Sequence, residues 1–183
     1  MSGDVTVISG PSGVGKGTIV RALASAYPQV WVSISATTRP PRPGEQDGRE
    51  YYFVSDAEFD ELVATDGLLE WAQVHGAARY GTPLAPVLAA VDADRRVLLE
   101  IELQGSRQVR RRLPGARYVF IAPPDAETLL ARLRGRGTES EEQVRRRLQT
   151  AQTELAAAGE FDHVVVNDEL AASVAELVEL LGL

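Results

Sequence analysis

The amino-acid sequence predicts an α/β fold, a parallel sheet of about five strands with flanking helices. Short apolar segments alternate along the chain with longer segments in which apolar residues recur at helical spacing. Strands that alternate with amphipathic helices favour a parallel sheet, because each crossover helix covers one of its faces. The 183 residues, 44% of them hydrophobic, suit one domain with a core of its own.

The predicted elements alternate from the first residues to the last. We expect strands at 4–9, 31–35, 49–54, 96–103, 116–122 and 161–167, and helices at 17–27, 55–67, 106–113, 125–137, 140–159 and 170–181. Ser55 followed by Glu58 is a capping box that marks a helix start, and Gly67 marks the end of that helix. The segment 36–91 is less regular, which indicates an insertion into the α/β core.

Composition and charge exclude several classes of function. The chain contains no cysteine, so it has no disulfide and no thiolate metal site. Its first residues, MSGDVTVISG, do not resemble a signal peptide, and no apolar run approaches the length of a membrane span. The net charge of −7 disfavours broad nucleic-acid binding. We therefore expect a cytoplasmic protein without a membrane or a nucleic acid as partner.

The segment GPSGVGKG, residues 10–17, fits the pattern G-x-x-x-x-G-K between a predicted strand and a predicted helix. Such a loop aims backbone N–H groups and a helix N-terminus at an anion, and its glycines allow close approach to phosphates. Lys16 is the one lysine among nineteen basic residues. A compact ammonium can enter a tight loop that a planar guanidinium cannot. These features favour a phosphate-binding loop over a glycine-rich turn without a ligand.

Gly17 departs from the usual form of this loop, in which a Ser or Thr hydroxyl at that position contacts Mg²⁺. Thr18 follows one residue later and is not an obvious substitute. We expect Mg²⁺ to be held mainly through water and phosphate oxygens, as is common for this ion. Thr18 and Glu100 are the candidate protein ligands.

Five further segments resemble guanylate kinases when taken together with the loop. They are SISATTRPPRPGEQDGREYYFV, LLEWAQVHGAARYGT, LLEIELQG, RLRGRGTESEEQVRRRL and VVVNDEL, and with the loop they span residues 5–170. The resemblance implies transfer of the γ-phosphate of ATP to GMP, with Mg²⁺ accompanying ATP and dGMP as a second candidate acceptor. It also implies three parts: a core at about 1–35, 92–125 and 159–183, a GMP-binding lobe at about 36–91, and a helical lid at about 126–158.

A carboxylate is suited to reading guanine, because it can accept hydrogen bonds from N1–H and the exocyclic amine together. Adenine presents an acceptor at N1, which would leave the carboxylate unsatisfied. The resemblance assigns this role to Glu70, with Ser35 and Thr82 contacting the same base. A solvated acid at the edge of an element is the alternative for Glu70.

The resemblance also supplies groups for the phosphate of GMP. Arg39 and Arg42 lie in a loop stiffened by prolines, TTRPPRPGE, and Tyr51 and Tyr80 would add hydroxyl donors. Glu45 is expected to orient its neighbours rather than to contact the ligand. Two more acids of the GMP-binding set, Glu100 and Glu102, are predicted on one side of a strand at its C-terminal end. They would act towards metal-bound water or the acceptor nucleotide, or only cap the strand.

For ATP, the resemblance implies binding by the whole loop and catalysis by cations of the lid. The ATP-binding set is Gly10, Pro11, Ser12, Gly13, Val14, Gly15, Lys16, Gly17, Thr18 and Asn167. The catalytic set is Lys16, Arg132, Arg136 and Arg147, which would neutralise the transferring phosphoryl group and exclude water. Asn167 is expected near the adenine, or else it only turns the chain into Asp168.

Three alternatives remain at this point. The chain could phosphorylate another monophosphate or a phosphorylated sugar. It could be a non-catalytic guanylate-kinase-like module that binds proteins, and Gly17 is the feature that favours this. It could also be a regulatory ATPase, although a whole lobe dedicated to a second nucleotide disfavours that.

Overall fold

The computed structural model describes residues 5–74, 78–134 and 141–183. Its strands are β1 Val5–Ser9, β2 Val30–Val32, β3 Ala36–Thr37, β4 Tyr52–Phe53, β5 Leu68–Val74, β6 Ala78–Pro83, β7 Arg96–Glu100, β8 Arg117–Ala122 and β9 His163–Val166. Its helices are α1 Lys16–Ala26, α2 Asp56–Ala64, α3 Leu84–Asp92, α4 Leu103–Arg112, α5 Ala126–Arg134, α6 Glu141–Ala156 and α7 Leu170–Leu181, with a 3₁₀ turn at Ala158–Glu160. Within these ranges, every helix is too short or too polar to cross a bilayer.

The central sheet confirms the predicted architecture. Five strands lie in the order β2-β7-β1-β8-β9, and all four pairings are parallel. β1 lies in the middle, with Val7 opposite Leu99 of β7 and Tyr118 of β8. The loop that follows β1 therefore leaves the carboxyl edge of the sheet at its centre, where α/β proteins bind their ligands.

Helices cover both faces of this sheet, as expected for parallel strands. Ile8 of β1 belongs to a buried cluster that includes side chains of α1, α5, α6 and α7. Its neighbour Val7 belongs to a second cluster, on the other face, with side chains of α3 and α4. The alternation of Val7 and Ile8 between the two clusters is the period of two that an extended strand imposes.

A second, smaller sheet is formed within 36–83 and has the order β4-β3-β6-β5. The β3–β4 pair is parallel, and the other two pairs are antiparallel. α2 packs against this sheet through Phe59, and the predicted capping box of Ser55 and Glu58 is present at its start. Of the residues that the resemblance assigns to GMP, this sheet carries Glu70, Tyr80 and Thr82.

Several predicted strands were too long, among them the one at 49–54, of which only Tyr52–Phe53 is a strand. The strand predicted at 31–35 ends at Val32, because the chain changes sheets: Ser33 N–H still bonds to Leu98 of β7, whereas the Ser35 carbonyl accepts from Tyr52 of β4. The strand predicted at 96–103 ends at Glu100. Glu102 instead precedes the first turn of α4, so the expectation that Glu100 and Glu102 share one side of a strand was wrong.

Candidate active site

The phosphate loop joins β1 to α1 in a conformation that requires glycine at several positions. Gly10, Gly13 and Gly15 all have positive φ angles. A Cβ atom at Gly13 would lie 2.7 Å from Leu133 of α5, and one at Gly15 would lie 2.6 Å from the Asn167 amide nitrogen. The glycines therefore let the helices and strand ends close tightly around the loop.

Lys16 lies inside the loop, as its status as the sole lysine suggested. Its ammonium donates to the carbonyl oxygens of Gly10 at 2.5 Å and Pro11 at 3.2 Å. Burial lowers the pKa of Lys16, and the nearby carboxylates of Glu100 and Glu154 oppose that shift. Lys16 is also the first residue of α1, whose N-terminus has no side-chain cap, so backbone N–H groups and the ammonium meet at one place.

The gap at Gly17 is bordered by Glu100 from β7. A Cβ atom at Gly17 would lie 3.3 Å from both Oε1 of Glu100 and Nη1 of Arg21. Burial raises the pKa of Glu100, and the charges of Lys16 and Arg21 act in the opposite direction. Thr18 is exposed, and its hydroxyl accepts a long contact of 3.5 Å from Arg21. The Glu100 carboxylate is therefore better placed than the Thr18 hydroxyl to replace the hydroxyl that position 17 lacks.

Two of the three predicted lid arginines reach the loop. Arg132 of α5 donates to the carbonyl oxygens of Asn167 at 2.9 Å and Val14 at 3.3 Å. Arg147 of α6 donates to the Ser12 hydroxyl at 2.7 Å. Arg136 lies outside the described residues.

Asn167 contacts the loop directly. Its side-chain amide donates to the Val14 carbonyl at 2.7 Å, and its oxygen accepts from the Ser173 hydroxyl at 3.1 Å. Both Asn167 and Ser173 are buried. The amide thus ties the end of β9 and the start of α7 to the phosphate loop.

Sequence reasoning missed Glu154, a buried acid on α6 at the phosphate loop. Its Oε2 lies 3.4 Å from the backbone nitrogen of Ser12, the residue whose hydroxyl binds Arg147. Burial raises the pKa of Glu154, with the charge of Lys16 opposing it. A signal existed: Glu154 follows Arg147 by seven residues in a predicted helix, which puts both on one face.

The predicted guanine reader, Glu70, is a buried residue on β5 and not a solvated acid. Its neighbour across the strands is Thr82 of β6, whose hydroxyl donates to Oε1 at 2.7 Å. Burial raises the pKa of Glu70, although the Thr82 hydrogen bond acts in the opposite direction. Ser35 is half-buried at the junction of the two sheets.

The predicted phosphate contacts form a cluster on the same small sheet. Arg39 pairs through two nitrogens with both Glu45 oxygens at 2.9 Å, and its Nε donates to the Tyr80 hydroxyl at 3.2 Å. Its guanidinium lies 5.3 Å from the ring centre of Tyr51, which packs edge-on against Tyr80. Hydrogen bonds from Arg39 and from the backbone of Arg42 hold the pKa of Glu45 below its usual range. Glu45 therefore orients the guanidinium of Arg39 and the backbone of Arg42.

The charges of Glu100 and Glu102 influence residues of both the phosphate loop and the small sheet. Glu100 acts on the pKa of both Lys16 in the loop and Tyr51 in the small sheet. Glu102 likewise acts on both Lys16 and Glu70. Lys16 of the phosphate loop and Tyr51 and Glu70 of the predicted GMP set are thus each influenced by the charge of Glu100 or Glu102.

Comparisons with known proteins agree with this geometry. A family model described as "Guanylate kinase" matches residues 2–182. The guanylate kinase of Cutibacterium acnes is 58% identical over 98% of this chain and 90% of its own length. The guanylate kinase of Parasynechococcus marenigrum is 56% identical over 99% of both chains.

Solved structures support the same conclusion. The crystal structure of guanylate kinase from Anaplasma phagocytophilum superposes with a TM-score of 0.76 at 30% identity, covering 99% of this chain and 85% of that one. A shikimate kinase from Bacteroides thetaiotaomicron, at 16% identity and a TM-score of 0.52, shares the fold alone. By its sequence, its fold and the residues gathered around its phosphate loop, the chain belongs to the guanylate kinase family.

Proposed function

We propose that ATP binds at the phosphate loop and that GMP binds on the small sheet, with its base at Glu70 and its phosphate at Arg39. As a member of its family, the chain is a phosphotransferase of purine nucleotide metabolism that converts ATP and GMP to ADP and GDP. The observation that carries the site assignment is the buried carboxylate of Glu70 on the sheet that also holds the Arg39 cluster.

Base selection follows from the chemistry of a buried acid. One Glu70 oxygen already accepts from Thr82, and its remaining acceptor capacity suits the N1–H and amine of guanine. The N1 lone pair of an adenine would face the carboxylate oxygens. That repulsion is costly because the site is desolvated. Ser35 and Thr82 would complete the contacts to the base.

The phosphate of GMP would be held by Arg39 and Arg42 with the hydroxyls of Tyr51 and Tyr80. Because Glu45 fixes the plane of Arg39, little side-chain entropy is lost when the phosphate arrives. The guanidinium and hydroxyl donors then fix the attacking oxygen. The exposed Arg42 is placed by the same acid through its backbone nitrogen.

For the transfer, we propose in-line attack by a GMP phosphate oxygen on the γ-phosphorus of ATP. The new P–O bond forms as the bond to the β,γ-bridging oxygen breaks, and that oxygen keeps the electron pair on ADP. Loop N–H groups and Lys16 stabilise the charge on the phosphates. Arg132 and Arg147, with Arg136, act from the lid side and exclude water.

Mg²⁺ is the proposed companion of ATP, and the residues at Gly17 fit it. The Glu100 carboxylate reaches the place that a loop hydroxyl would occupy, and carboxylate oxygens are ligands that Mg²⁺ prefers. Glu100 would hold the ion, directly or through water, with the Thr18 hydroxyl as a second candidate. When bound, Mg²⁺ would neutralise part of the charge on the phosphates.

We further propose that the lobe at about 36–91 and the lid at about 126–158 close on the core at about 1–35, 92–125 and 159–183. Closure would remove water, which otherwise competes with GMP as acceptor. Small-angle X-ray scattering with a bisubstrate analogue tests this. A radius of gyration unchanged by the analogue would contradict closure.

The function itself is tested by ADP release from ATP and Mg²⁺ with GMP, dGMP, AMP, CMP, UMP or no acceptor. We expect release with GMP, and the reaction with dGMP tests the second candidate acceptor. ADP release without an acceptor would indicate an ATPase. If folded protein releases no ADP with any acceptor, the result would favour the protein-binding module. The cytoplasm stays the predicted location, and cell fractionation would test it.

A further inference from the structure

One face of helix α4 lies along strand β5, which carries Glu70. The face consists of Gly105, Gln108 and Arg112, spaced by three and four residues as a single helical stripe requires. β5 is the edge strand of the small sheet, so its outer backbone groups have no strand to pair with. The α4 face contacts that edge at three successive places.

Gln108 contacts the edge as a neighbouring strand would. Its Oε1 accepts from the Trp71 N–H at 3.2 Å, and its Nε2 donates to the Trp71 carbonyl at 2.7 Å. This pair of bonds from one amide reproduces the two-bond pattern of an antiparallel pair. Trp71 follows Glu70 directly, so Gln108 fixes the backbone next to the proposed base reader.

Arg112 secures the same strand one turn further along the helix. Its guanidinium donates to the Leu68 carbonyl and pairs with Asp66, the residue two positions before β5 begins. The backbone on both sides of Glu70 is therefore bonded to α4.

Gly105 meets the Glu70 side chain itself. A Cβ atom at Gly105 would lie 2.5 Å from Oε2 of Glu70 and 3.0 Å from its Cδ. Real Cβ atoms do not approach that closely, so any side chain at this position would displace the carboxylate. Gly105 lies inside α4, and its φ angle is not positive. Space for the carboxylate, and not backbone strain, is thus the physical requirement for glycine.

We propose that α4 determines base specificity, with Gly105 and Gln108 as positioning residues for the Glu70 carboxylate. The inference rests on the proposed role of Glu70 and extends it to residues that would act on the base through Glu70. α4 starts at Leu103, only three residues after β7 ends at Glu100. The base reader is thereby held at a fixed place relative to the core that carries the phosphate loop.

The test compares GMP with IMP, which lacks only the exocyclic amine. Steady-state kcat/KM for the two acceptors is measured in the wild-type chain and in Glu70→Gln, Gly105→Ala and Gln108→Ala. Gln152→Ala, at an exposed glutamine of α6, is the matched control. KM for ATP and the melting temperature are measured for every variant, because a merely structural role would move the melting temperature and leave the GMP-to-IMP ratio unchanged.

We expect the GMP-to-IMP ratio to fall about tenfold in Gly105→Ala, since a displaced acceptor no longer meets the amine. In Gln108→Ala we expect a fall of about threefold, the size of one lost hydrogen-bonding side chain. KM for ATP should change little in both, and Gln152→Ala should match the wild type throughout.

The outcomes separate the inference from the function on which it rests. A ratio that falls in Glu70→Gln but stays at the wild-type value in both α4 variants overturns the inference alone. An unchanged ratio in Glu70→Gln overturns the assignment of Glu70 and the inference with it. Equal losses of kcat/KM for GMP and IMP in the α4 variants would also overturn the inference. They would indicate that the lobe is disrupted as a whole and not that base recognition is altered.

Discussion

The Thr82 hydroxyl donates a 2.7 Å hydrogen bond to Oε1 of Glu70, and both residues are buried. A neutral hydroxyl compensates a buried carboxylate only in part, which is why the pKa of Glu70 stays above its usual range. The remaining acceptor capacity is what the N1–H and amine of guanine would satisfy. The feature proposed to select the base therefore destabilises the nucleotide-free fold.

Glu70→Gln should raise the melting temperature of the nucleotide-free chain at pH 8 and lower kcat/KM for GMP about a hundredfold. The folded-state pKa of Glu70 lies above its unfolded value, so its stability contribution is favourable at low pH and is lost as the pH rises through the folded pKa. Glutamine stays neutral at every pH, so it avoids that loss. Thermal denaturation across a pH series gives the comparison.

The gain in melting temperature should vanish at acidic pH, below the unfolded pKa of the carboxyl. Glu176→Gln, the same exchange at an exposed acid of α7, is the matched control. A Glu70→Gln chain that is less stable than the wild type at pH 8 would contradict a buried, charged Glu70.

KM for GMP should rise as the pH falls, beginning at a higher pH than an exposed glutamate would require. Protonated Glu70 can no longer accept from both guanine donors, and its pKa is raised by burial. The phosphate of GMP itself titrates at about pH 6, so the profile of Glu70→Gln supplies the reference. We expect the difference between the two profiles to report Glu70, and superimposable profiles would exclude its titration.

Lys16→Arg should reduce kcat about a hundredfold while leaving the affinity for GMP unchanged. The ammonium donates to the Gly10 and Pro11 carbonyls at 2.5 and 3.2 Å, and a planar guanidinium would not reproduce these compact contacts. Initial rates and GMP titrations measure the two effects. Arg111→Lys, the reverse exchange at an exposed residue of α4, should leave both values at the wild-type level. Full activity of Lys16→Arg would remove the explanation for the single lysine.

Gly17→Ser should lower kcat/KM for ATP about tenfold, because its Cβ would crowd the Glu100 carboxylate at 3.3 Å. Glu100→Asp withdraws that carboxylate by one methylene. In the Glu100→Asp background, Gly17→Ser should therefore cost about threefold or less. A double-mutant cycle measures the coupling, and equal losses in both backgrounds would show that Gly17 and Glu100 act independently.

Glu154→Gln should lower KM for ATP about threefold and raise the melting temperature at neutral pH. The carboxylate lies 3.4 Å from the Ser12 nitrogen and beside Lys16, so it opposes the incoming phosphates, and burial raises its pKa. Glutamine keeps an acceptor for the Ser12 N–H without the charge. Isothermal titration with a non-hydrolysable ATP analogue tests the affinity. Weaker binding of the analogue would mean that the charge of Glu154 supports the loop.

Local patterns predicted much of this molecule correctly. The glycine loop, the parallel central sheet, the order of core strands and helices outside 36–91 and the Ser55–Glu58 capping box follow from periodicity, turn residues and side-chain spacing, whereas β3, β5, β6 and α3 were not predicted. Prediction was poorer at 31–35, where one extended segment serves two sheets, because strand propensity does not record which neighbour supplies the hydrogen bonds. The strand predicted at 96–103 was too long because apolar Ile101 and Leu103 continue the pattern past Glu100, where α4 takes over.

The sequence by itself determined which groups are available: one lysine within a glycine loop, two arginines among prolines, and a glutamate flanked by apolar residues. Only the tertiary structure decided how they are used. Burial raises the pKa of Glu70, Gly105 makes room for its carboxylate, and Glu154 reaches the loop from 142 positions away in the chain. The reason is physical, since desolvation and close contact depend on residues distant in sequence, whereas propensity and periodicity depend on near ones.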